Sequence, residues 1–423
     1  MTAGRPPRPS LPPRSRFAQH WTLDPDVVFL NHGSFGATPR VVQEAQARWR
    51  SRLEAEPVRF MVEDLFDEMN AVRAAFAERC GGDAADYVMV HNASTAVATV
   101  LSNLSFEPGD ELLTTTHGYR ACVNNLHRTA ERWGARVIEA PLPWPCPSPD
   151  AAFDAVVSRV TDRTRFAMLD HVTSPTALVL PVDRLVGELD RRGIDTLVDG
   201  AHAPGMLPVD LSRTRPAYYT ANAHKWFCAP KGSAFLYVRP DRQEDFRPLV
   251  LSNDARSVEP AFLPQRSRFN HEFDYAGTDD PTAWLATPDA IRFLAGLLPG
   301  GFDELMPTNR SLALGARRLV AARLGVDLPC PEEMIGSIAT VPLPSYPAET
   351  AERLARRPTR YADALQDALL ERHRVQVPVW SVQQPDGTRL RFVRLSAQLY
   401  NTIDQYAYLA DALVEEIGAE REY

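Results

Sequence analysis

The chain has 423 residues, 44% of them hydrophobic and 24% charged, so it is long enough to bury a sizeable core. A formal net charge of -8 argues against a surface built to bind nucleic acid or an anionic membrane. The N-terminus lacks the apolar stretch of a secretory signal, and no run of about 18 apolar residues could span a bilayer. Five cysteines without a CxxC pair fit neither a disulfide framework nor a zinc site, and they predict a reducing, cytoplasmic location.

The predicted elements begin after residues 1–20, a stretch rich in proline and arginine that predicts a flexible arm. Thr38 and Pro39 are typical of a helix start, with Thr38 as the N-cap. Short apolar runs then alternate with helical patterns, which predicts an α/β fold with a mainly parallel, seven-stranded sheet covered by helices. The predicted strands are residues 87–91, 111–115, 136–139, 165–170, 196–199, 218–220 and 234–238.

The last third of the chain has a different pattern. A helical stretch after Asn309 leads into an apolar segment at 336–341, and long helical patterns follow. We therefore predict a large domain over residues 21–295 and a smaller α+β domain over 296–423. The N-terminal segment is expected to contribute to the smaller domain and to the mouth of the active site.

Polar residues come directly after several of the predicted strands. They are residues 91–95, 116–119, 170–174 and 199–202. Because ligand sites of open α/β sheets form at the carboxyl ends of the strands, we expect these residues to face one site.

Both lysines of the chain lie in one segment, residues 222–232, NAHKWFCAPKG, whereas 46 − 2 = 44 residues are arginine. An amine attacks an aldehyde only when it is deprotonated, and an apolar or cationic pocket favours that form. His224 and Trp226 flank Lys225, which favours burial, whereas Lys231 stands in a turn-like Pro-Lys-Gly sequence. Lys225 is therefore the better candidate for a Schiff base.

Two other motifs are ambiguous when each is taken alone. Asp199 ends a predicted strand, where a carboxylate can hold the protonated nitrogen of a pyridine ring, but Asp-Gly is also common in turns. Ser94 and Thr95 precede a helical pattern and can cradle a phosphate, although an ordinary N-cap is the more frequent use of such residues.

The order of these motifs, with Lys225 following Asp199 by 225 − 199 = 26 residues, resembles pyridoxal 5'-phosphate (PLP) enzymes of fold type I. More narrowly, the chain resembles class V aminotransferases over nearly its whole length, in the branch of isopenicillin N epimerase-like enzymes and hercynylcysteine sulfoxide lyases. The matching stretches are FLNHGSFGATPRVV, EPVRFM, HNASTA, DHVTSPTALVLPV, VDGAHAPG, NAHKW, YAGTDD and RLSAQLYNT. The resemblance implies PLP as the cofactor and no metal.

The resemblance also assigns cofactor contacts to residues that match the family's motifs. Lys225 would carry the cofactor and shuttle the Cα proton, Asp199 would pair with the ring nitrogen, and His202 would bond to the ring's 3-oxygen. Phosphate ligands would be Ser94, Thr95, Asn222 and His224.

Further positions follow from the same resemblance. Tyr119 or His117 would stack on the ring, with Tyr119 favoured. Thr173 would line the cofactor, although Ser174 stands where desulfurases have asparagine. Thr278 matches a residue that reaches the phosphate from the neighbouring subunit, which implies a homodimer.

The sequence identifies fewer residues for the substrate than for the cofactor. Arg394 matches the arginine that binds the substrate α-carboxylate, a task for which a planar guanidinium is suited. By resemblance, Asn31, His32 and Arg59 would line the substrate mouth, but structural roles for these three residues remain open.

The motifs do not select the reaction, since epimerisation, transamination, β-elimination and decarboxylation all need the Lys225–Asp199 pair. Residues 375–393, ahead of Arg394, contain no cysteine, which argues against a cysteine desulfurase. We favour β-elimination from an S-substituted cysteine or its sulfoxide, in thiol or natural-product metabolism, because it needs one base beside a leaving group.

Three alternatives stay open. An epimerase would need a second acid, for which Tyr119 or His32 are candidates. An aminotransferase, or a decarboxylation-dependent oxidative deaminase acting on a cysteine conjugate in antibiotic biosynthesis, would use the same motifs. A PLP-binding DNA regulator is disfavoured, because the arm before Trp21 is too short for a helix-turn-helix module.

Overall fold

The computed structural model describes residues 10–252, 255, 267–383 and 389–422, and the chain divides into two compact units. The larger unit comprises Gly33–Met306 and Cys330–Met334. The smaller unit comprises the segment up to His32, Pro307–Pro329 and the chain from Ile335 onward. The two units divide between Met306 and Pro307, inside a helix, whereas the sequence places the start of the smaller domain at residue 296.

The strands are β1 Val28–Phe29, β2 Tyr87–Val90, β3 Glu111–Thr115, β4 Arg136–Ala140, β5 Thr164–Asp170, β6 Asp195–Asp199, β7 Tyr218–Ala221, β8 Ala234–Val238, β9 Ile338–Pro342, β10 Val375–Gln376, β11 Val379–Gln383 and β12 Arg389–Ser396. The α-helices are α1 His32–Phe35, α2 Arg40–Ala55, α3 Pro57–Arg59, α4 Leu65–Cys80, α5 Ala93–Ser102, α6 Arg120–Trp133, α7 Pro149–Val157, α8 Val182–Arg191, α9 Leu211–Thr214, α10 Arg268–Asp274, α11 Thr282–Leu285, α12 Thr287–Ala295, α13 Phe302–Leu324, α14 Ala348–Ala355, α15 Ala364–His373 and α16 Ile403–Glu422. Within the described ranges, no helix is both long and apolar enough to cross a membrane.

The larger unit is built on a seven-stranded sheet in the order β2-β8-β7-β6-β5-β3-β4. β8 runs antiparallel to β2 and β7, and the other neighbours are parallel. Strands β2, β3, β7 and β8 are buried along their whole length, as expected for a sheet covered on both faces. The predicted α/β fold with a mainly parallel sheet is therefore confirmed, and all seven predicted strands are present.

Strand direction explains where a site can form. Every strand of this sheet except β8 runs the same way, so the carboxyl ends of the other six lie along one edge. Polar side chains follow β2, β3, β5, β6 and β7 at this edge. Because no further strand covers the ends, these side chains can border a ligand cavity.

Two helix starts differ from the sequence-based expectation. Helix α5 begins at Ala93, and its N-cap is Asn92, whose side chain accepts a 2.9 Å hydrogen bond from the backbone N–H of Thr95. Helix α2 follows Pro39, and the prediction that Thr38 caps it is wrong. The hydroxyl of Thr38 instead donates to the carbonyl of Ala229 at 3.1 Å, so a long-range contact replaces the local cap.

The smaller unit contains a three-stranded antiparallel sheet, β11-β12-β9, and a parallel pair in which β1 lies beside β10. Apolar residues from both ends of the chain form its core. The described part of the predicted arm, residues 10–20, includes a short 3₁₀ helix, Arg16–His20. Ahead of it, the backbone N–H of Ser15 donates to the carbonyl of Tyr400 at 3.3 Å.

The buried ion pair between α4 and α10 offers a test of packing in the larger unit. Nη1 of Arg73 lies 2.6 Å from Oδ1 of Asp274, and both side chains are buried. Arg73→Met removes this cation from a buried carboxylate, so we expect the free energy of unfolding to fall by about 3 kcal/mol in chemical denaturation.

The matched control is Arg184→Met, which removes an exposed ion pair with Asp150. We expect this change to cost less than about 1 kcal/mol, since water already screens exposed pairs. Equal losses in the two variants would contradict the assignment of Arg73 to a buried, paired position.

Candidate active site

The carboxyl edge of the large sheet borders a cavity of about 460 Å³ within the larger unit. Its walls include seven residues predicted to bind the cofactor, namely Ser94, Tyr119, Asp199, His202, Asn222, His224 and Lys225. A groove of about 580 Å³ lies between α5 and α6, but its described lining includes none of the predicted site residues. The smaller cavity is therefore the candidate active site.

Lys225 and His202 face each other across this cavity. Nζ of Lys225 lies 3.0 Å from Nε2 of His202, and the indole Nε1 of Trp226 donates to Nδ1 of His202 at 3.5 Å. Because an indole N–H can only donate, Nδ1 accepts, and the neutral imidazole carries its hydrogen on Nε2. The Nε2–H group then donates to Nζ, an arrangement that favours the neutral, nucleophilic amine.

Asp199 ends β6 and is buried at the bottom of the cavity. Oδ1 accepts a 3.0 Å hydrogen bond from the backbone N–H of Ala201, and Oδ2 accepts a 3.3 Å bond from the thiol of Cys122. Burial, followed by the Asp199 carboxylate, raises the pKa of Cys122 well above its ordinary value, so the thiol stays protonated and donates. Burial also raises the pKa of Asp199, although the hydrogen bonds from Ala201 and Cys122 act in the opposite direction.

Asp170 is a further cavity residue to which sequence reasoning assigned no role. It ends β5 and stands in register with Asp199 on the neighbouring parallel strand. Burial and then the negative charge of Asp199 raise the pKa of Asp170 well above its ordinary value, although the backbone N–H of Tyr119 bonds to it. Two adjacent predicted strands that both end in aspartate were the signal that could have identified this pair.

The start of α5 forms another wall of the cavity. Asn92, Ala93 and Ser94 line it, together with Asn222 and His224 from the segment after β7. Oδ1 of Asn222 accepts a 2.9 Å bond from the backbone N–H of Ala93, which ties the two segments together. A helix N-terminus attracts anions through its unpaired N–H groups and its dipole, so this wall suits a phosphate.

His224 has a defined hydrogen-bond arrangement at this wall. Its Nδ1 lies 3.1 Å from the carbonyl oxygen of Ser233, so Nδ1 carries the hydrogen and Nε2 is left to accept. Burial and then the positive charge of Lys225 lower the pKa of His224 to about 4.

Besides Thr278, three predicted cofactor residues are not among the described residues that line the cavity, namely Thr95, His117 and Thr173. The backbone N–H of Thr95 is bonded to its neighbour Asn92. Nδ1 of His117 lies 3.0 Å from the hydroxyl of Thr176, which in turn lies 2.8 Å from the hydroxyl of Thr173. His117, Thr176 and Thr173 thus form a buried polar network. Tyr119, in contrast, lines the cavity with 44% of its surface exposed.

Two predicted residues of the larger unit lie on exposed surface. Arg59 is paired with Glu63 at 3.7 Å. Thr278 is bonded to the hydroxyl of Tyr275 at 3.2 Å. Neither residue is among those described as lining the cavity.

The remaining predicted residues belong to the smaller unit. Asn31 and His32 are buried, and Nδ1 of His32 lies 2.8 Å from the hydroxyl of Tyr400. Arg394 lies on β12 opposite Thr340 of β9, and only 1% of its surface is exposed. Its guanidinium carbon lies 5.9 Å from the ring centre of Trp380.

The chain is similar to known proteins over most of its length. Residues 27–405 match the family described as aminotransferase class-V. An isopenicillin N epimerase of Streptomyces clavuligerus is 36% identical, with 92% of this chain and 95% of the relative covered. A putative L-cysteine desulfhydrase of Oryza sativa subsp. japonica is 31% identical, with 96% and 87% covered. The structure of a cysteine desulfurase from Escherichia coli shares the fold, with a TM-score of 0.75, 20% identity, and 96% and 98% covered.

Fold and cavity together define a PLP-dependent enzyme of fold type I. More specifically, the chain belongs to the aminotransferase class-V family, as the sequence resemblance predicts. The cavity fits PLP chemically, since it combines a lysine amine, an anion-binding helix start and a buried carboxylate held by neutral donors. A protonated ring nitrogen would supply positive charge beside this buried carboxylate, whose pKa burial raises.

The two lysines provide a direct test of the cofactor site. We expect Lys225→Ala to abolish the covalent, borohydride-reducible linkage to PLP, because no other amine is placed beside His202 in the described cavity. Absorbance spectra and intact mass after reduction measure the linkage.

Lys231→Ala is the matched control and should keep the linkage. Loss of the linkage in Lys231→Ala together with its retention in Lys225→Ala would show that the assignment of the two lysines is reversed.

The buried histidine behind the cavity makes stability depend on pH. Burial lowers the pKa of His117 to about 4, whereas an unfolded histidine titrates near 6.5. Between pH 6.5 and pH 4, His117 is therefore protonated in the unfolded chain but neutral in the folded chain. We expect the free energy of unfolding to fall as pH drops from about 6.5 to about 4, by up to about 3 kcal/mol from this residue.

His117→Asn removes the titrating group while keeping a polar atom near Thr176. Denaturation across this pH range should give a flatter profile for the variant. Asp170 and Asp199 act in the opposite direction, because their pKa values are raised, but they are common to both proteins and cancel in the difference. Identical slopes in the two proteins would contradict this assignment of His117.

Proposed function

We propose that this enzyme is a carbon–sulfur β-lyase that cleaves an S-substituted cysteine or its sulfoxide, in thiol or natural-product metabolism. The observation that carries the proposal is the 3.0 Å contact between Nζ of Lys225 and Nε2 of His202. It places one base, the amine of Lys225, in the cavity, and β-elimination needs only one base and a leaving group.

Each group of the cavity has a task in this reaction. Bound PLP supplies a covalent attachment for the substrate amine and an electron-withdrawing ring that stabilises negative charge at Cα. Asp199 holds the ring nitrogen in its protonated state, and the amine of Lys225 takes the proton from Cα. The Cβ–S bond then breaks with its electron pair on sulfur. The leaving group, a thiolate from a thioether or a sulfenate from a sulfoxide, takes up a proton, and water converts the three-carbon remainder into pyruvate and ammonia.

Other residues are proposed to bind and orient. Ser94 and Asn222 hold the phosphate at the start of α5, and His224 joins them once its Nε2 is protonated, a state that the negative charge of the phosphate favours. The ring of Tyr119 stacks on the cofactor. Arg394 binds the substrate carboxylate, while Asn31, His32 and Arg59 remain candidates for the substrate mouth. Thr95, His117 and Thr173 do not line the described cavity, and their proposed roles are indirect.

The comparisons support a reaction at a cysteine carbon–sulfur bond. A relative 31% identical to this chain is named for cysteine desulfhydration, which releases sulfur from cysteine. A desulfurase is disfavoured because residues 375–393 contain no cysteine to receive the sulfur.

A second candidate is an amino-acid epimerase. The relative named isopenicillin N epimerase is 36% identical over 92% of this chain, and the Tyr119 side chain lines the cavity. A tyrosine hydroxyl there can return a proton to Cα from a face that Lys225 does not serve.

The assembly is also proposed rather than established. Thr278 is exposed and lies outside the described lining of its own chain's cavity, which supports a homodimer in which it reaches the partner's cofactor phosphate. A cytoplasmic location remains a prediction from the cysteine pattern.

A substrate panel tests the reaction. The PLP-loaded enzyme is mixed with L-cysteine, S-alkyl and S-aryl cysteines, their sulfoxides and cysteine-free amino acids, and pyruvate and thiol are quantified. We expect stoichiometric pyruvate and thiol from at least one cysteine conjugate, and a loss of about 10²- to 10⁴-fold in rate with Lys225→Ala.

The same samples in deuterated water separate the alternatives. Deuterium at Cα with inversion and without pyruvate would establish the epimerase, and a keto acid that forms only with an added amino donor would establish an aminotransferase. Absence of pyruvate from every cysteine conjugate would overturn the lyase proposal.

A further inference from the structure

Lys231, the second lysine of the chain, makes two described contacts with a segment near its N-terminus. Its Nζ donates to the carbonyl oxygen of Gly36 at 3.2 Å and lies 3.4 Å from the hydroxyl of Thr38. The same Thr38 hydroxyl donates to the carbonyl of Ala229 at 3.1 Å. The turn that follows Lys225 therefore holds residues 34–38, called here the rim segment, at two points.

The rim segment forms part of the candidate active site. Ser34 and Phe35 line the cavity, and 73% of the Phe35 side chain is exposed. The polar lining already discussed suits the phosphate, the ring nitrogen and the ring oxygen of PLP. We therefore infer that Ser34 and Phe35 border the part of the cavity that the cofactor leaves for the substrate.

The backbone of the rim segment packs closely against the residues around Lys225, which restricts where the segment can lie. Gly36 adopts φ +69°, and a Cβ added there would lie 1.8 Å from the carbonyl oxygen of His224 and 3.0 Å from the Cα of Lys225. The backbone of Gly36 thus packs directly against the residues that carry the cofactor-binding amine. Gly36 has no side chain that could maintain the contact with His224 and Lys225. A small displacement of the rim segment would therefore separate the two backbones.

The choice of lysine at position 231 also requires explanation. The chain has 44 arginines and two lysines, so an arginine would be the usual cation at an exposed turn. A compact ammonium on a slim stem can approach a carbonyl and a hydroxyl together, whereas a planar guanidinium needs more space and a different arrangement of acceptors. The contact with Gly36 therefore accounts for a lysine here in terms of shape.

We propose that Lys231 is a positioning residue, whose ammonium group fastens the rim segment to the turn after Lys225 and so keeps Ser34 and Phe35 on the cavity wall. Lys231 is not among the described residues that line the cavity. The contacts of Lys231 within the larger unit support the fastening of the rim segment. Only the expected effect of Lys231 on substrate binding rests on the proposed function.

Hydrogen exchange of the full-length, PLP-loaded protein tests the fastening without any substrate. Lys231→Met keeps the length of the side chain but removes its three donors. We expect peptides covering residues 34–38 to exchange roughly 5- to 10-fold faster, as the loss of one or two hydrogen bonds implies. Peptides covering β2 should be unchanged.

Two further variants sharpen the test. Lys231→Arg keeps the charge but not the shape, and it should exchange faster than the native protein in the same peptides. Thr38→Val removes the hydroxyl that contacts both Lys231 and Ala229. In the double variant Lys231→Met/Thr38→Val, the increase in exchange rate should be smaller than the product of the two single increases, because the two residues act through one contact network. Lys231→Gln replaces Lys231→Met if the latter fails to fold.

Kinetics and cofactor binding complete the experiment. With a panel compound that is turned over, Lys231→Met should raise KM roughly 5- to 10-fold while kcat and the dissociation constant for PLP change less than about 2-fold. Unchanged exchange at residues 34–38 in Lys231→Met, or native behaviour of Lys231→Arg, would overturn the proposal. If no compound is turned over, the proposed function fails, but the exchange result still decides the role of Lys231.

Discussion

The burial of two carboxylates at the ends of neighbouring parallel strands is the constraint on which the active site depends. Asp170 and Asp199 stand in register in a region that water does not screen, so two negative charges there repel each other strongly. The surrounding groups supply neutral donors, such as the Cys122 thiol and the Ala201 amide, which orient oxygen atoms without neutralising them. A protonated pyridine ring would supply the positive charge that these neutral donors lack. The electrostatics of the site thus favour the cofactor that the family uses.

The parts of the site that follow from local sequence were predictable. Buried strands of a parallel sheet are short apolar runs, and the residue at each carboxyl end can be identified from where the run stops. This is why the seven strands, Asp199 and Lys225 could be placed from the sequence. The resemblance to a family supplied the roles, because neither an Asp-Gly pair nor a Ser-Thr pair has one meaning alone.

Contacts between distant segments could not be predicted in this way. Cys122 lies 77 residues before Asp199, and nothing in the composition of α6 indicates that one of its turns meets the end of β6. Thr38 has the local pattern of an N-cap, but its hydroxyl bonds to Ala229, because the tertiary contact competes successfully with the local one. The two units divide within α13, between Met306 and Pro307, where no loop marks a boundary in the sequence.

The parallel pair formed by β1 and β10 bears on how the protein is made. Val28 pairs with Val375, a separation of 375 − 28 = 347 residues, so the first strand has no partner until almost the whole chain has left the ribosome. At about 5–20 residues per second, this interval is roughly 20–70 s. The sheet of the larger unit is complete in sequence by Val238 and can assemble during that time. The order of translation therefore lets the large sheet form first, while Val28 and Leu30 remain without their core, whose other residues lie between Ala313 and Ile417.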